Sequence, residues 1–272
     1  MKANKPFLFL SLIFAAVTIF FLSCQKDVVK PEDADIPAGK SQLQIMLTDD
    51  PSQIFDSIFI DIKRIEVKVK DSTGAEHWDT LTITPGVYNI LRFRNGLDTL
   101  IATGNIPNGR IEKIRVTLGT NNYAMLNGVT FPLFMNTSDA VIIIDVNGSV
   151  DRVGIRRFRL WLDFDGHGSI RLHNGRLELK LRISHFCHSN SGEIEGEIKP
   201  SAALPAVVKA IAGTDTLTAI PDREGEFKIR GIKTATATLI ITPSNGYKDS
   251  VITNIQIRQG DDTDLGKIVL HR

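Results

Sequence analysis

The chain has 272 residues, a net charge of +1 and 42% hydrophobic residues. This length is sufficient for two domains of ordinary size. A nearly neutral chain lacks the basic surface with which proteins bind nucleic acid, so we expect no nucleic-acid partner.

The first 24 residues have the order of a secretory signal. Lys2 and Lys5 precede an apolar run over residues 7–21, and the small Ser23 comes directly before Cys24. The cysteine makes this segment resemble the lipobox of bacterial lipoproteins, which implies cleavage after residue 23 and acylation of Cys24. The apolar run is shorter than the roughly 20 residues of a membrane-spanning helix. An uncleaved anchor and a simple secretion signal are the alternatives.

Residues 24–40 predict a polar, flexible tether, because they contain few apolar side chains that could be buried. Gln25, Lys26 and Asp27 resemble the export tag of surface-exposed lipoproteins. We therefore expect a protein held in the outer membrane by its N-terminal lipid and displayed on the cell surface, with a periplasm-facing protein as the alternative. Acylation of Cys24 would leave Cys187 without an intramolecular partner, so the fold should depend on its core rather than on disulfides.

From residue 41 the apolar residues alternate with period two, which predicts β-strands. The alternation changes phase at Lys63 and Arg64, between the apolar sets 58, 60, 62 and 65, 67, 69, and this change predicts a β-bulge or a strand break. The continuous apolar run 141–144 predicts a strand covered on both faces. The only helix that we expect is a short turn near residues 97–103.

Asn-Gly pairs lie between several of these apolar runs and supply the positive φ angles of tight hairpins. They occur at 95–96, 127–128, 147–148 and 174–175, and the last pair predicts a hairpin between two short strands. Many short strands separated by turns indicate a β-sandwich or barrel. We expect an all-β protein with two β-sandwich domains, Ig-like or transthyretin-like, over residues 41–188 and 189–272.

Several sequence blocks in the first of these domains occur in the order found in a known family. These blocks are Leu47-Thr48-Asp49-Asp50-Pro51, Trp78 with Thr80-Leu81, Gly86-Val87-Tyr88-Asn89-Ile90-Leu91, Arg94-Asn95-Gly96, Ile106-Pro107-Asn108-Gly109 and Ile114-Arg115-Val116-Thr117-Leu118-Gly119. They resemble a domain of unknown function that is common in lipidated proteins, of the family 4382 type, over roughly Ser41 to Ile183. The resemblance implies no activity.

The second domain is similar to the carboxypeptidase regulatory-like module, a small transthyretin-like sandwich. The similarity lies in the stretches 192–200, 206–210, 222–232 and 260–270. Gly225 is expected to relieve a tight turn, and Phe227 and Ile229 are expected to face one core. The resemblance implies a spacer, a stabiliser or a carbohydrate-binding-like fold rather than a peptidase.

Two small groups of residues are weak candidates for metal binding. Asp163 and Asp165, followed by Gly166, resemble the start of a calcium loop, but the further oxygen ligands of that loop are missing. The alternative is a solvent-facing strand end. His185 and Cys187 share one face of an extended chain and could hold zinc or copper if further ligands joined them. The alternatives are an interdomain linker and a buried or reactive thiol.

Two further sets of residues are candidates for contacts with, or attachment of, sugars. Arg157 and Arg159 share a strand face with Trp161, which could stack a sugar ring beside the two cations; a solvated face with extended arginines is the alternative. Thr80, Thr99 and Thr216 each follow an aspartate and precede a leucine. These triplets resemble an acceptor pattern for bacterial O-glycosylation, but they also arise where a polar turn enters an apolar strand.

The sequence contains none of the nucleophile-elbow, zinc-protease, phosphate-loop or dinucleotide motifs. We therefore expect no cofactor and no catalysis. The leading hypothesis is a lipid-anchored envelope protein for binding, adhesion or structure, with a glycan or an envelope protein as its partner. The alternatives are a carbohydrate-binding surface lipoprotein and an enzyme of unrecognised type.

Overall fold

The structure is a computed structural model that describes residues 35–50, 54–146, 156–166 and 168–272. Residues 35–272 form one compact unit. The lipobox cysteine Cys24, the export-tag residues 25–27 and the Asn-Gly pair at 147–148 lie outside the described residues. Within the described ranges, no helix has both the length and the apolar character that crossing a bilayer requires.

The described chain is built almost entirely from β-strands, which confirms the predicted fold class. Its short 3₁₀ segments are Ile90–Phe93, Thr137–Ala140, His188–Asn190 and Ser201–Ala203. The strands are β1 (Lys40–Asp50), β2 (Ser57–Asp71), β3 (Glu76–Thr80), β4 (Thr82–Ile83), β5 (Gly86–Asn89), β6 (Thr99–Pro107), β7 (Gly109–Leu118), β8 (Tyr123–Leu126), β9 (Val129–Pro132), β10 (Val141–Asp145), β11 (Arg157–Asp165), β12 (Ile170–His173), β13 (Arg176–Leu179), β14 (Ile183–Phe186), β15 (Gly192–Lys199), β16 (Ala206–Ala212), β17 (Asp215–Ala219), β18 (Glu226–Ile232), β19 (Thr236–Pro243), β20 (Ser250–Gln256) and β21 (Asp262–Val269).

Strands β1–β14 form the first sandwich. One sheet has the order β14-β11-β1-β6-β4, and the other has the order β10-β7-β2-β8-β9, with β3 and β5 also paired to β2. A hairpin of β12 and β13 is added to them. Strands β1 and β11 run parallel, and the other pairs in both main sheets are antiparallel. Both sheets contribute buried side chains to one hydrophobic cluster.

Strand β2 is continuous through the predicted change of phase. Its pairing with β7 shifts between Ile62 and Arg64, which is a β-bulge. An extra residue at a bulge reverses which side chains face the core. Ile62 and Ile65 are therefore both fully buried, although they would point to opposite faces of a regular strand. The bulge interpretation is confirmed.

Strand β10 is not covered on both faces, so the prediction for residues 141–144 is wrong. β10 ends the order of its sheet within the described chain and pairs with β7. Ile144 is buried, whereas Val141 is 44% and Ile143 is 53% exposed. The continuous apolar run therefore has one face on the core and one face in solvent.

The helix expected near residues 97–103 is also wrong. Residues from Thr99 onward belong to β6, which pairs antiparallel with β1. Ile101, Ala102 and Ile106 are buried in the first cluster, whereas Leu97 is 61% exposed. Cross-strand pairing and burial thus outweigh the weak preference of this segment for a helical turn.

Strands β15–β21 form the second sandwich. A sheet with the order β18-β15-β21 packs against one with the order β17-β16-β19-β20, and their buried side chains form a second hydrophobic cluster. Phe227 and Ile229 are both in it, as expected. Gly225 has a φ of +93°, and a Cβ there would lie 2.4 Å from the carbonyl oxygen of Ile198. Its predicted role in a tight turn is confirmed.

The Asn-Gly pairs differ in what they connect. Asn174 and Gly175 have φ angles of 49° and 75° and close the predicted hairpin between β12 and β13. The pair at 127–128 closes a second hairpin, between β8 and β9. Asn95 and Gly96 also have positive φ angles, but this turn leads from the 3₁₀ segment toward β6. It faces the second sandwich.

Candidate binding site between the two sandwiches

Asp98 of the first sandwich is the centre of a polar contact with the second. Its Oδ2 atom accepts a 2.7 Å hydrogen bond from the indole Nε1 of Trp161 on β11. The same atom accepts a 2.8 Å bond from Nη1 of Arg230 on β18. The Nε atom of Arg230 donates a 2.9 Å bond to Glu193, a buried residue of β15. Arg230 therefore joins a carboxylate of each sandwich.

Arg230 also lies over two aromatic rings of the first sandwich. Trp161 and Phe186 are cross-strand partners, and their rings stack with centroids 5.6 Å apart and planes within 3°. The Arg230 guanidinium carbon is 4.9 Å from the Trp161 ring and 5.8 Å from the Phe186 ring. Burial lowers the pKa of Arg230, but Asp98 and Glu193 outweigh it and raise the pKa above its ordinary value. The cation is thus held in a cation–π and ion-pair contact.

A second contact uses the Asn95-Gly96 turn. The Asn95 side chain accepts a 2.8 Å hydrogen bond from the backbone N–H of Lys228 and donates a 3.0 Å bond to the carbonyl of Glu226. It therefore pairs with β18 as another strand would. A Cβ at Gly96 would lie 2.9 Å from the Cδ of Lys228, so the close approach requires glycine.

Lys228 is held in place on the second sandwich. Its Nζ atom lies 3.0 Å from Glu193, 3.0 Å from Glu195 and 3.1 Å from Asp262. Burial lowers the pKa of Lys228, but these three carboxylates outweigh it and raise the pKa well above its ordinary value. The lysine is therefore a fixed positive charge, and its stem cannot move freely away from Gly96.

An open cleft of about 1170 Å³ lies beside these contacts. Its first wall comes from the first sandwich and includes Arg92, Arg94 and Leu97. Its second wall comes from the second sandwich and includes Glu226 and Asp264. Among the described ion pairs, none involves Arg92 or Arg94. The first wall thus has two arginines against one acidic residue, Asp56. The second wall has more carboxylates than lysines, since Glu195, Glu197 and Asp222 also line it and its lysines are Lys228 and Lys267.

The structure corrects the predicted exposure of Trp161. Arg157 and Arg159 lie on its strand face, but they bond to Gln42 and Gln44 of β1. Trp161 is only 7% exposed, because Phe186 and the second sandwich cover it. The arginine over its ring is Arg230 rather than a neighbour on β11. Trp161 therefore offers no open ring face on which a sugar could stack.

Four of the predicted residues line a smaller recess of about 280 Å³. These are Asp163, Asp165, His185 and Thr216, which lie there with Asp215 and Lys233 among others. Burial and the charge of Lys233 lower the pKa of His185 to about 4. Within the described residues, no group of three or more histidine, cysteine or acidic side chains is placed to hold a metal ion.

Of the other candidates, Cys187, Thr80 and Thr99 do not line this recess. Cys187 is buried in the first hydrophobic cluster, with its Sγ 3.3 Å from the hydroxyl of Ser189. Thr80 is exposed on β3, and Thr216, on β17, is exposed as well. Thr99 is half-buried at the start of β6. The proposed glycosylation of these threonines stays a prediction.

Sequence reasoning missed the residues that join the sandwiches. In the sequence, Asp98 stood out only as the aspartate before Thr99, and Arg230 only as one residue of the stretch 222–232 that is similar to the carboxypeptidase regulatory-like module. Their sequence separation is 132 residues. The one available signal was an Asn-Gly turn at 95–96 with no regular strand directly before it.

Comparison with known proteins places residues 40–181 in one family and finds distant structural likenesses. A cohesin–X-dockerin complex of Acetivibrio cellulolyticus includes a chain that is 25% identical, with 29% of this chain and 56% of that chain covered and a TM-score of 0.24. The Bacillus anthracis TIE protein is 11% identical, with coverages of 86% and 34% and a TM-score of 0.24. A putative adhesin from Bacteroides ovatus ATCC 8483 is 10% identical, with coverages of 88% and 95% and a TM-score of 0.23.

The present chain thus spans about half of the cohesin–dockerin chain and a third of the TIE protein. Superpositions with such TM-scores carry no information on function. No curated protein matches the chain in sequence. The family model that matches is described as a domain of unknown function (DUF4382), and its match over residues 40–181 covers just over half of the 272 residues. The chain therefore belongs to the DUF4382 family.

Proposed function

We propose that this protein is a non-catalytic, lipid-anchored protein of the cell envelope, and that the cleft between its sandwiches binds a segment of an envelope protein. The observation that carries the proposal is the cleft itself, which Asp98, Arg230 and Trp161 hold between two separate hydrophobic clusters. A cleft between two domains is a common place for a binding site.

The size and charge of the cleft favour an extended partner. Small-molecule pockets usually occupy about 300–1,000 Å³ and enclose most of their ligand, whereas this cleft is open and has about 1170 Å³. Arg92 and Arg94 can pair with acidic groups of a partner, while Glu226 and Asp264 can pair with basic groups. A protein segment carries both signs of charge at the spacing of neighbouring residues. Complementary charges of this kind guide association and fix orientation.

The anchoring part of the proposal depends on residues 1–40. Acylation of Cys24 would hold the protein in the outer membrane, since stable anchoring requires more than one acyl chain and bacterial lipoproteins carry several. The polar tether would then keep both sandwiches clear of the bilayer. Gln25, Lys26 and Asp27 favour display on the cell surface over a periplasm-facing position.

The second sandwich is proposed to be a module of the carboxypeptidase regulatory-like type. Its two sheets and buried cluster agree with a small transthyretin-like sandwich. In this arrangement it provides the second wall of the cleft and the partner surface for Asn95 and Asp98.

Site-specific photo-crosslinking on whole cells tests the proposal. A photoreactive amino acid replaces Leu97, which lines the cleft and is 61% exposed. The matched control replaces Leu172, which is 74% exposed on β12 and is not part of the cleft lining. We expect a defined envelope protein to be captured at position 97 and not at position 172. Equal capture at both positions, or none at position 97, would contradict a binding cleft.

A further inference from the structure

The outer face of the seven-stranded sheet carries an ordered set of side chains away from the cleft. Register pairs Trp78 of β3 with Lys68 of β2, and it pairs Glu66 of β2 with Arg115 of β7. Arg115 is in turn opposite Ile143 of β10. Paired residues of an antiparallel sheet point to the same face. These side chains therefore share the solvent side, because the alternate residues of β2 and β7 are buried in the core.

Three of these residues form a rigid polar and aromatic platform. The Arg115 guanidinium carbon lies 4.2 Å from the centroid of the Trp78 ring. Its Nε and Nη2 atoms each donate a 2.8 Å hydrogen bond to Glu66, which is only 6% exposed. A two-bond pairing of this kind fixes the plane of the guanidinium. Trp78 is nevertheless 39% exposed, so part of a large ring remains open to solvent.

The charged groups next to this platform are paired with one another. Glu66 also lies 3.2 Å from Arg64, and Lys68 pairs with Glu76 and with Glu112. The three positive side chains are thus matched by three negative ones. A strongly charged ligand would have to displace these pairs, so the platform favours an uncharged ligand that can form hydrogen bonds.

The apolar groups on this face are separated rather than continuous. Trp78 lies at one side, and Ile143 lies on β10, with Arg115 and Glu66 between them. β3 and β10 are separated by three strand spacings of ~4.8 Å, so Trp78 and Ile143 lie on strands ~14 Å apart. Protein-docking patches usually have a continuous apolar centre, which the described residues of this face do not form. Alternating apolar and polar groups instead match a sugar chain, whose rings have a C–H face and a rim of hydroxyl groups.

We infer that Trp78, Arg115 and Glu66 form a binding site for a neutral carbohydrate chain. The exposed indole packs against the C–H face of a sugar ring, and the partly exposed guanidinium of Arg115, held in its plane by the buried Glu66, donates to the hydroxyl groups. The site is independent of the interdomain cleft, because none of its three residues lines that cleft. The stacking on a sugar ring that was predicted for Trp161 is thus assigned to Trp78.

Affinity electrophoresis of the full-length protein tests the site. The purified protein migrates through gels that contain a neutral β-glucan, α-mannan or xylan. We expect at least one of these polymers to retard it, and we expect Trp78→Ala to weaken that binding by about tenfold or more. Trp78→Tyr should retain part of the binding. Leu172→Ala is the control and should bind as the unmodified protein does.

A second measurement uses the unmodified protein, so its result does not depend on whether the variants fold. The chain has two tryptophans, of which Trp161 is 7% and Trp78 is 39% exposed. Quenching of fluorescence by acrylamide therefore reports mainly on Trp78. The retarding polymer should decrease the quenching. Absence of retardation by all three polymers, unchanged quenching, or undiminished binding by folded Trp78→Ala would overturn the inference without affecting the crosslinking result for the cleft.

Discussion

The carboxylate of Asp98 and the guanidinium of Arg230 form a 2.8 Å ion pair that joins the two sandwiches. Neither group is fully buried, since 26% of the Asp98 side chain and 15% of the Arg230 side chain are exposed. The pair gains strength from its surroundings, because Asp98 also accepts the Trp161 indole hydrogen bond and Arg230 also bonds to Glu193. It forms part of a network that fixes one sandwich against the other.

Arg230→Met should destabilise the protein. The substitution keeps the apolar stem but removes the cation that Asp98 and Glu193 share. Glu193 keeps Lys228 and Asp98 keeps the Trp161 bond, so we expect a cost of about 1–3 kcal/mol of unfolding free energy. Urea denaturation provides the measurement. Arg171→Met is the matched control, since Arg171 is exposed on β12. Equal unfolding free energies for the two variants would show that the Asp98–Arg230 contact has no energetic role.

Gly96→Ala should be more destabilising than Gly128→Ala. Both glycines have nearly the same positive φ, +79° and +77°, so each substitution carries the same backbone cost of about 1–2 kcal/mol. Only at Gly96 would the new methyl group meet Lys228, and we expect an additional cost of about 1 kcal/mol or more. Thermal and urea unfolding of the two variants measure the difference. Identical losses would mean that the close approach of Gly96 to Lys228 is easily relieved.

His185 should make stability depend on pH. Its folded-state pKa is lowered from 6.5 to about 4 by burial and then by the charge of Lys233. Between these pH values the unfolded chain binds a proton that the folded chain does not, so the unfolding free energy decreases as the pH falls from 6.5 to about 4. The decrease should not exceed about 3 kcal/mol and should be reduced by partial exposure to solvent.

The measurement for His185 is urea denaturation at a series of pH values. His185→Gln should remove this part of the slope, whereas His188→Gln, at an exposed position, should retain it. A slope that is the same in His185→Gln and in the unmodified protein would assign the pH dependence to other groups.

Cys24→Ala should abolish acylation and membrane retention while both sandwiches remain folded. The substitution removes the thiol to which the lipid would be attached, and Cys24 lies before the compact unit, which begins at Asp35 and already buries Ile36 of the predicted tether. Labelling of cells with palmitate, followed by fractionation, provides the measurement. Palmitate incorporation into the variant would contradict the lipobox assignment. Loss of its β-sheet circular dichroism would contradict the independence of anchor and fold.

The strands and turns could largely be predicted from sequence because they depend on local patterns. The phase change at 63–64 identified the bulge in β2, and Asn174-Gly175 identified a hairpin. Coverage of a strand is a tertiary property, and for this reason Val141 and Ile143 were wrongly assigned to a buried strand. The strand conformation of the segment that begins at Thr99 likewise depends on its pairing with β1 rather than on its own residues.

The contacts between the sandwiches could not be predicted, because they join residues far apart in the sequence and depend on how the two sandwiches pack against each other. Trp161 was predicted to lie beside Arg157 and Arg159, whereas the cation over its ring is Arg230 of the second sandwich. Trp78 was noticed only as part of a family block. Its neighbour Arg115 lies two strands away in the sheet, so no short sequence pattern connects them.

The most direct test combines the interdomain contact with the cleft. The photoreactive residue at position 97 is introduced into the unmodified protein and into Arg230→Met, and the captured envelope protein is quantified on whole cells. If Arg230 holds the two walls in place, the variant should be displayed normally and should lose most of the capture. Undiminished capture by a folded and displayed Arg230→Met protein would contradict the claim that the joined sandwiches form the binding site.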